Sequence, residues 1–239
     1  MMEEKFYNAL ALATRADYRK LKELKDKNAS WETAWNSIPA GERRIVDPNN
    51  AFEALSQLHI KLLLLSDANF PEPLKEIHCP PLGIYVRGEI GRAQTPSLAI
   101  VGTRKSTEEG KETARAFARE LASRGVRIVS GLALGIDAAA HEGALDAKGH
   151  TIAVLGNGLD QLYPRNNERI AKGIIASGGA IISEYPLGTP PLPHHFLERN
   201  RIVSGLTQGV LVIEAPKESG ALATARFALE QNRYVFVVP

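Results

Sequence analysis

From residue 98 onward the sequence alternates short apolar runs with helix-forming stretches, and no other feature constrains the fold as tightly. LAIVG is followed by a helical pattern over 107–124, VRIVS by one over 136–147, and TIAVL by one over 166–176. AIISE, a helix over 197–204, VLVIEA, a helix over 220–231 and YVFVV complete the series. Strands joined through helices are parallel, and near-continuous Val/Ile/Leu runs suit strands covered on both faces. The expected class is α/β, with a doubly wound, mainly parallel sheet.

Upstream the pattern changes. Residues 3–58 read as helical, with Leu10, Leu21 and Leu24 near one face and Trp31 and Trp35 at i, i+4. Such a tryptophan pair is expected in a core, and the basic KLKELKDK on a solvated face. From His59, HIKLLLLSD reads as a strand, followed by a proline-punctuated connector that wraps the main domain and ends in an edge strand at 84–87. The expectation is a small helical domain over 1–58 and an extended Rossmann-like domain over 59–239.

Composition excludes little. The 239 residues suffice for a sizeable core, and 29 basic against 27 acidic side chains leave a net charge of +2, so any nucleic-acid reading rests on local clustering of cations. The single cysteine, Cys79, in HCPPLG, fits a reducing compartment and a spectator thiol. The first residues carry acids where a signal peptide needs cations, and no apolar run approaches the roughly 18 residues of a membrane span. The expected location is cytoplasmic.

In doubly wound sheets, ligands sit outside the carboxyl ends of the strands. The turns there are GTRKS (102–106), SGLALGID (130–137), GNGLDQLYPRNN (156–167), SEYPLGTPPLPHHF (183–196) and EAPKESGALAT (214–224). Glycines let a backbone approach an anion; hydroxyls and free N–H groups donate to phosphate oxygens, and helix N-termini add a positive dipole end. Arg104, Lys105, Arg165, Arg199, Arg201 and Lys217 flank these turns. Together they suit a nucleic-acid backbone lying across the sheet's end, with arginine forks on phosphates. Tyr163 and Phe196 could stack on bases or belong to a turn and the core.

Competing chemistries lack their motifs. Neither G-x-G-x-x-G nor a Walker A loop occurs, and VRIVSG ends without an acidic residue for a ribose, so no cofactor is expected. Ser130 has no G-x-S-x-G elbow. Asp137 and His141 stand at i, i+4, open to a metal or to an internal helix contact, and His194 and His195 lie in a proline-rich loop. Glu184 and Glu214 at strand ends leave a nucleotide-binding or nucleoside monophosphate hydrolase reading as the alternative, although its P-G-G-x-G-T signature is missing.

IVGTRKST, SGLALGIDAAAHEGAL, TIAVLGNGLDQLYPRNN, FLERNRIVSGL and VLVIEAPKESGALATARFALEQNRYVFVVP together resemble the DprA/Smf family of DNA-processing proteins from about residue 62 onward. The resemblance implies a bacterial cytoplasmic recombination mediator, not an enzyme, that binds single-stranded DNA, forms a homodimer through its Rossmann-like domain and helps load RecA onto incoming strands during natural transformation. It implies DNA contacts by Arg104 of the G-x-R turn and by Arg165 after Tyr-Pro. The matching pocket comprises Gly102, Thr103, Ser106, Ser130, Gly131, Gly135, Asp137, Asn166, Asn200, Arg201, Ser219 and Gly220. It further implies that relatives continue beyond the Val-Val-Pro at which this sequence stops, often with a winged-helix-like tail, and it matches the N-terminal helices only loosely to a SAM-like region.

Overall fold

The computed structural model describes residues 2–217 and 219–238. Five helices come first: α1 (Met2–Ala13), α2 (Tyr18–Lys27), α3 (Trp31–Ser37), the single turn α4 (Ala40–Arg43) and α5 (Pro48–Gln57). Their starts are encoded locally. Asp17 accepts from the amides of Arg19 and Lys20, Ser30 and Thr33 form a reciprocal capping box, and Asp47 caps α5 just ahead of Pro48. Tyr7, Leu10, Leu21, Trp31, Trp35 and Leu55 are buried, in one apolar cluster with Tyr85, Leu132 and Ile170 of the remaining chain. The tryptophans are therefore core, each burial contributing about 1.5–3 kcal/mol or more. The Tyr85 hydroxyl donates to Asn8 Oδ1 at 2.8 Å, tying α1 to the sheet.

The sheet begins with β1 (Ile60–Leu64), followed by the short α6 (Glu72–Lys75) and β2 (Gly83–Gly88). Then come β3 (Ser97–Val101), α7 (Glu108–Ser123), β4 (Arg127–Ser130), α8 (Ile136–Asp146) and β5 (Thr151–Leu155). A 3-10 turn at Arg165–Asn167 leads into α9 (Glu168–Ala176) and β6 (Ala180–Ser183), then α10 (Pro193–Gly205), β7 (Gly209–Val212), α11 (Gly220–Glu230) and β8 (Tyr234–Val237). The strand order is β1-β2-β6-β5-β4-β3-β7-β8, parallel from β6 to β8, with β1 and β2 antiparallel. The fold is the expected α/β one, a mainly parallel doubly wound sheet.

Two local expectations change. The strand at 84–87 is interior, not an edge: β2 bonds β1 on one side and β6 on the other, and β1 takes the edge. An alternating strand and a prolyl connector look alike in sequence whether or not a further strand covers them. Helix α10 also starts earlier than residue 197, because Pro193 at its first position has φ pre-set for a helix.

From β3 the chain proceeds outward through β4, β5 and β6, then returns to place β7 on the other flank of β3. The order reverses between β3 and β7, and a crevice opens at such a switch point. Every residue of β4, β5, β6 and β7 is buried, which explains their lack of polar alternation. Among the described residues no helix is long and apolar enough to cross a membrane.

Candidate nucleic-acid interface

At the switch point a groove of about 530 Å³ is lined by Gly102, Thr103, Arg104, Gly131, Asp137, Asn200, Ser219 and Gly220, with Lys105, Tyr163, Phe196 and Arg199 beside them. The turn after β3 forms one wall. The Thr103 amide donates to the Glu214 carbonyl at 2.7 Å. The Thr107 amide and hydroxyl both donate to Glu214 Oε2 at 3.0 Å, while Thr107 Oγ1 caps α7 by accepting from the Gly110 amide. Fixed at both ends, the turn leaves Arg104 exposed, its guanidinium 5.1 Å from the Phe196 ring centroid and without a carboxylate partner among the described residues.

The turn after β4 forms the second wall. Asp137 Oδ2 accepts from the Gly131 amide at 3.1 Å and the Ala133 amide at 3.3 Å, closing the loop over the N-terminus of α8. Gly135 has φ +80°, and a Cβ there would lie 2.5 Å from the Thr103 carbonyl oxygen. The two walls touch at that point, so only glycine fits. Asn167 Nδ2 donates to the Leu132 and Ala133 carbonyls at 2.8 and 3.1 Å, bracing the loop from the turn before α9.

Arg199 forms the floor. It is 4% exposed, and its Nη1 donates to the Gly131 carbonyl at 2.8 Å and to the Val154 carbonyl, while Nε donates to Asn200 Oδ1 at 3.2 Å. Burial pulls its pKa down to about 10, opposed by the nearby Asp137 charge, so it stays protonated at neutral pH. Burial raises the Asp137 pKa, and Arg199 pulls it back. On the far side Asn200 Nδ2 donates to the Gly220 carbonyl at 3.0 Å, and Ser219 caps α11, turning that helix's N-terminus toward the groove.

Not every expected residue lines the groove. Ser130 is fully buried and its hydroxyl donates to the Ile100 carbonyl at 2.7 Å. Ser106 Oγ is buried without a hydrogen-bond partner. Arg165 and Asn166 are exposed on the turn after β5; of the two asparagines there, Asn167 holds the groove loop. Arg201 turns away from the groove, its Nη2 paired with Glu184 Oε1 at 2.5 Å and its Nε donating to the Cys79 carbonyl. Sequence reasoning grouped Arg199 with the surface cations and did not single out Asn167. Their only sequence signal is position in FLERNR and YPRNN.

Aromatic groups sit at the groove mouth: the Tyr163 ring, whose residue is joined to Pro164 by a cis peptide bond, lies 5.5 Å from the Phe196 ring between centroids at a tilt of 34°, and the Arg199 guanidinium lies 5.9 Å from the Phe196 centroid on the floor side. The strand-end carboxylates and His141 make contacts within the fold. Glu214 accepts from the amide and hydroxyl of Thr107, the cap of α7, and Glu184 pairs with Arg201. His141 Nδ1 lies 2.8 Å from Thr151 Oγ1, an internal contact. Among the described residues no group of three or more His, Cys, Asp or Glu side chains converges as metal ligands would.

The family profile of DNA recombination-mediator protein A matches residues 61–239. Protein Smf of Escherichia coli is 48% identical over 178 residues, covering 74% of this chain and 48% of that protein. DNA processing protein DprA of Bacillus subtilis is 40% identical over 181 residues, 75% of this chain and 61% of that protein. The chain spans about half to three-fifths of the length of these relatives. The X-ray structure of DprA from Streptococcus pneumoniae superposes with a TM-score of 0.75 at 31% identity, covering 99% of this chain and 82% of that one. DNA processing protein A from Helicobacter pylori, whose structure concerns its single-stranded DNA binding mode, gives a TM-score of 0.68 at 37% identity, covering 75% and 80%.

Proposed function

Because this chain belongs to the family of DNA recombination-mediator protein A, we propose that it binds single-stranded DNA along the rim of its sheet and acts as a recombination mediator, without catalysing a reaction of its own. One observation carries this reading. The switch-point groove combines an exposed Arg104 without a carboxylate partner among the described residues, the buried Arg199 charge at its floor and the N-termini of α8 and α11, while its carboxylates are engaged in holding the walls. Such a groove attracts phosphates and offers few side chains to base edges, so sequence preference is small.

Phosphates rest on the turns at 102–106 and 131–135, with Arg104 and Arg165 as forks and Asn200, Ser219 and Gly220 on the far side. Bases face outward, open to a second protein. On this reading the chain hands strands to RecA during natural transformation and works as a homodimer in the cytoplasm, its helical residues 1–58 forming a small domain packed on the Rossmann-like domain of residues 59–239. The dimer is proposed to form through α11 and β8, where Leu229, Tyr234, Phe236 and Val237 are exposed.

The test is fluorescence anisotropy with labelled oligo-dT and a matched duplex at two salt concentrations. Arg104→Ala weakens single-strand binding for every sequence and reduces the salt slope by about 0.7. Unchanged affinity and slope in Arg104→Ala would overturn the assignment of the groove.

A further inference from the structure

A second cleft, of about 770 Å³, opens on the same rim where β6 ends. Its outer wall is the turn between α1 and α2, with Arg15, and the start of α2, with Arg19 and Lys20; its inner wall is α10, with His194, His195 and Glu198. The first turns of α10 thus separate two cavities, since Phe196 and Leu197 line the groove already described. Going along the sheet, β7, β3, β4 and β5 bring the groove and Arg165 to the edge of β6, a span of roughly 19 Å at a strand spacing of about 4.8 Å.

The cations of the outer wall are unengaged, whereas the cleft's carboxylates are occupied. Arg15, Arg19 and Lys20 are exposed and have no carboxylate partner among the described residues. Asp17 accepts from the amides of Arg19 and Lys20 as the cap of α2. Glu184 is held by Arg201, and Glu198 Oε2 accepts from the Tyr185 hydroxyl at 2.7 Å. Exposed cations beside paired or hydrogen-bonded acids leave a surface that favours a polyanion over a cationic peptide.

We propose that this cleft is a second phosphate-binding segment of the same single-stranded track, in which Arg15, Arg19 and Lys20 hold the strand after it passes over the first turns of α10. The proposal rests on the groove reading, which it extends. It assigns to the N-terminal helices a DNA contact that their basic character, taken alone, left on a solvated face. A strand confined to the groove does not reach these cations; a longer one does.

The experiment compares oligo-dT of about 6 and about 20 nucleotides, bracketing the roughly 4–16 nucleotides of single-strand sites, in wild type, Arg104→Ala and the triple variant Arg15→Gln/Arg19→Gln/Lys20→Gln. The glutamines keep side-chain length, and an unchanged Tm checks that the fold is intact. The triple variant is expected to bind the short oligonucleotide as wild type does, to bind the long one about tenfold more weakly, and to lose about 2 from its salt slope. A triple variant with wild-type affinity and slope for the long oligonucleotide overturns the second segment, as does equal weakening for both lengths. Arg104→Ala reports separately: it weakens both lengths if the groove is used, and its failure to do so overturns the groove reading instead.

Discussion

The guanidinium of Arg199 fills the space that a side chain at residue 131 would need: Nη1 donates to the Gly131 carbonyl at 2.8 Å, and a Cβ on Gly131 would come within 2.5 Å of that nitrogen. Gly131→Ala therefore displaces a buried, hydrogen-bonded charge rather than a flexible surface tip. The expected outcome is a loss of about 1–3 kcal/mol in urea denaturation together with weaker oligo-dT binding. Wild-type stability in this variant would show that Arg199 is free to relocate.

Two adjacent asparagines separate positioning from exposure. Asn167→Ala removes both bonds to the Leu132 and Ala133 carbonyls and leaves them short of a buried donor, so it costs about 1–3 kcal/mol and lowers affinity for oligo-dT by loosening the loop. The exposed Asn166 supports no such bond. Asn166→Ala leaves thermal stability unchanged, and parallel melting curves check the pair.

His141 sets a pH dependence. It is fully buried, the Thr151 hydroxyl donates to the Ile128 carbonyl, and His141 Nδ1 accordingly donates to Thr151 Oγ1. Burial, aided by the Arg199 charge, lowers its pKa from 6.5 to about 3. The unfolded chain then takes up a proton near 6.5 that the folded chain refuses until about 3, so this stability is present above the upper value and lost as pH falls through the window. The slope approaches 1.4 kcal/mol per pH unit. His150 and His195, also lowered chiefly by burial, act in the same direction. His141→Gln makes the acid limb shallower by about one proton without abolishing it, as denaturation midpoints across the window will register.

Arg201 and Glu184 form a pair whose side chains are 10% and 12% exposed. Arg201→Met strands a buried carboxylate and costs roughly 3–5 kcal/mol, whereas adding Glu184→Gln restores much of that loss. If Arg201 serves DNA binding through the structure, the double variant also recovers oligo-dT affinity. Recovery of stability without recovery of binding would assign Arg201 a direct phosphate contact.

The reach of sequence reasoning differs between backbone and side chains. Strands β3 to β7 were legible because they are buried on both faces and their centres are runs of Val, Ile, Leu and Ala. The turns that form the groove were legible too, since strand ends rich in glycine follow from the alternation. The antiparallel pairing that places β2 inside the sheet was not, because it depends on a partner from a distant segment.

The cations mark the same division. Residues 199 and 201 both sit in ERNR, yet two helical steps turn a side chain by about 200°, so Arg199 lies under the groove and Arg201 against Glu184 in the neighbouring cleft. By itself the sequence determined the class of fold, the rim on which anions are met and the family, all of which rest on local periodicity and contiguous motifs. Tertiary structure decided which arginine is buried, which asparagine braces a loop and which basic turn of the N-terminal helices borders the rim. Burial and neighbourhood are products of packing between segments far apart in the chain, and no single stretch of sequence contains them.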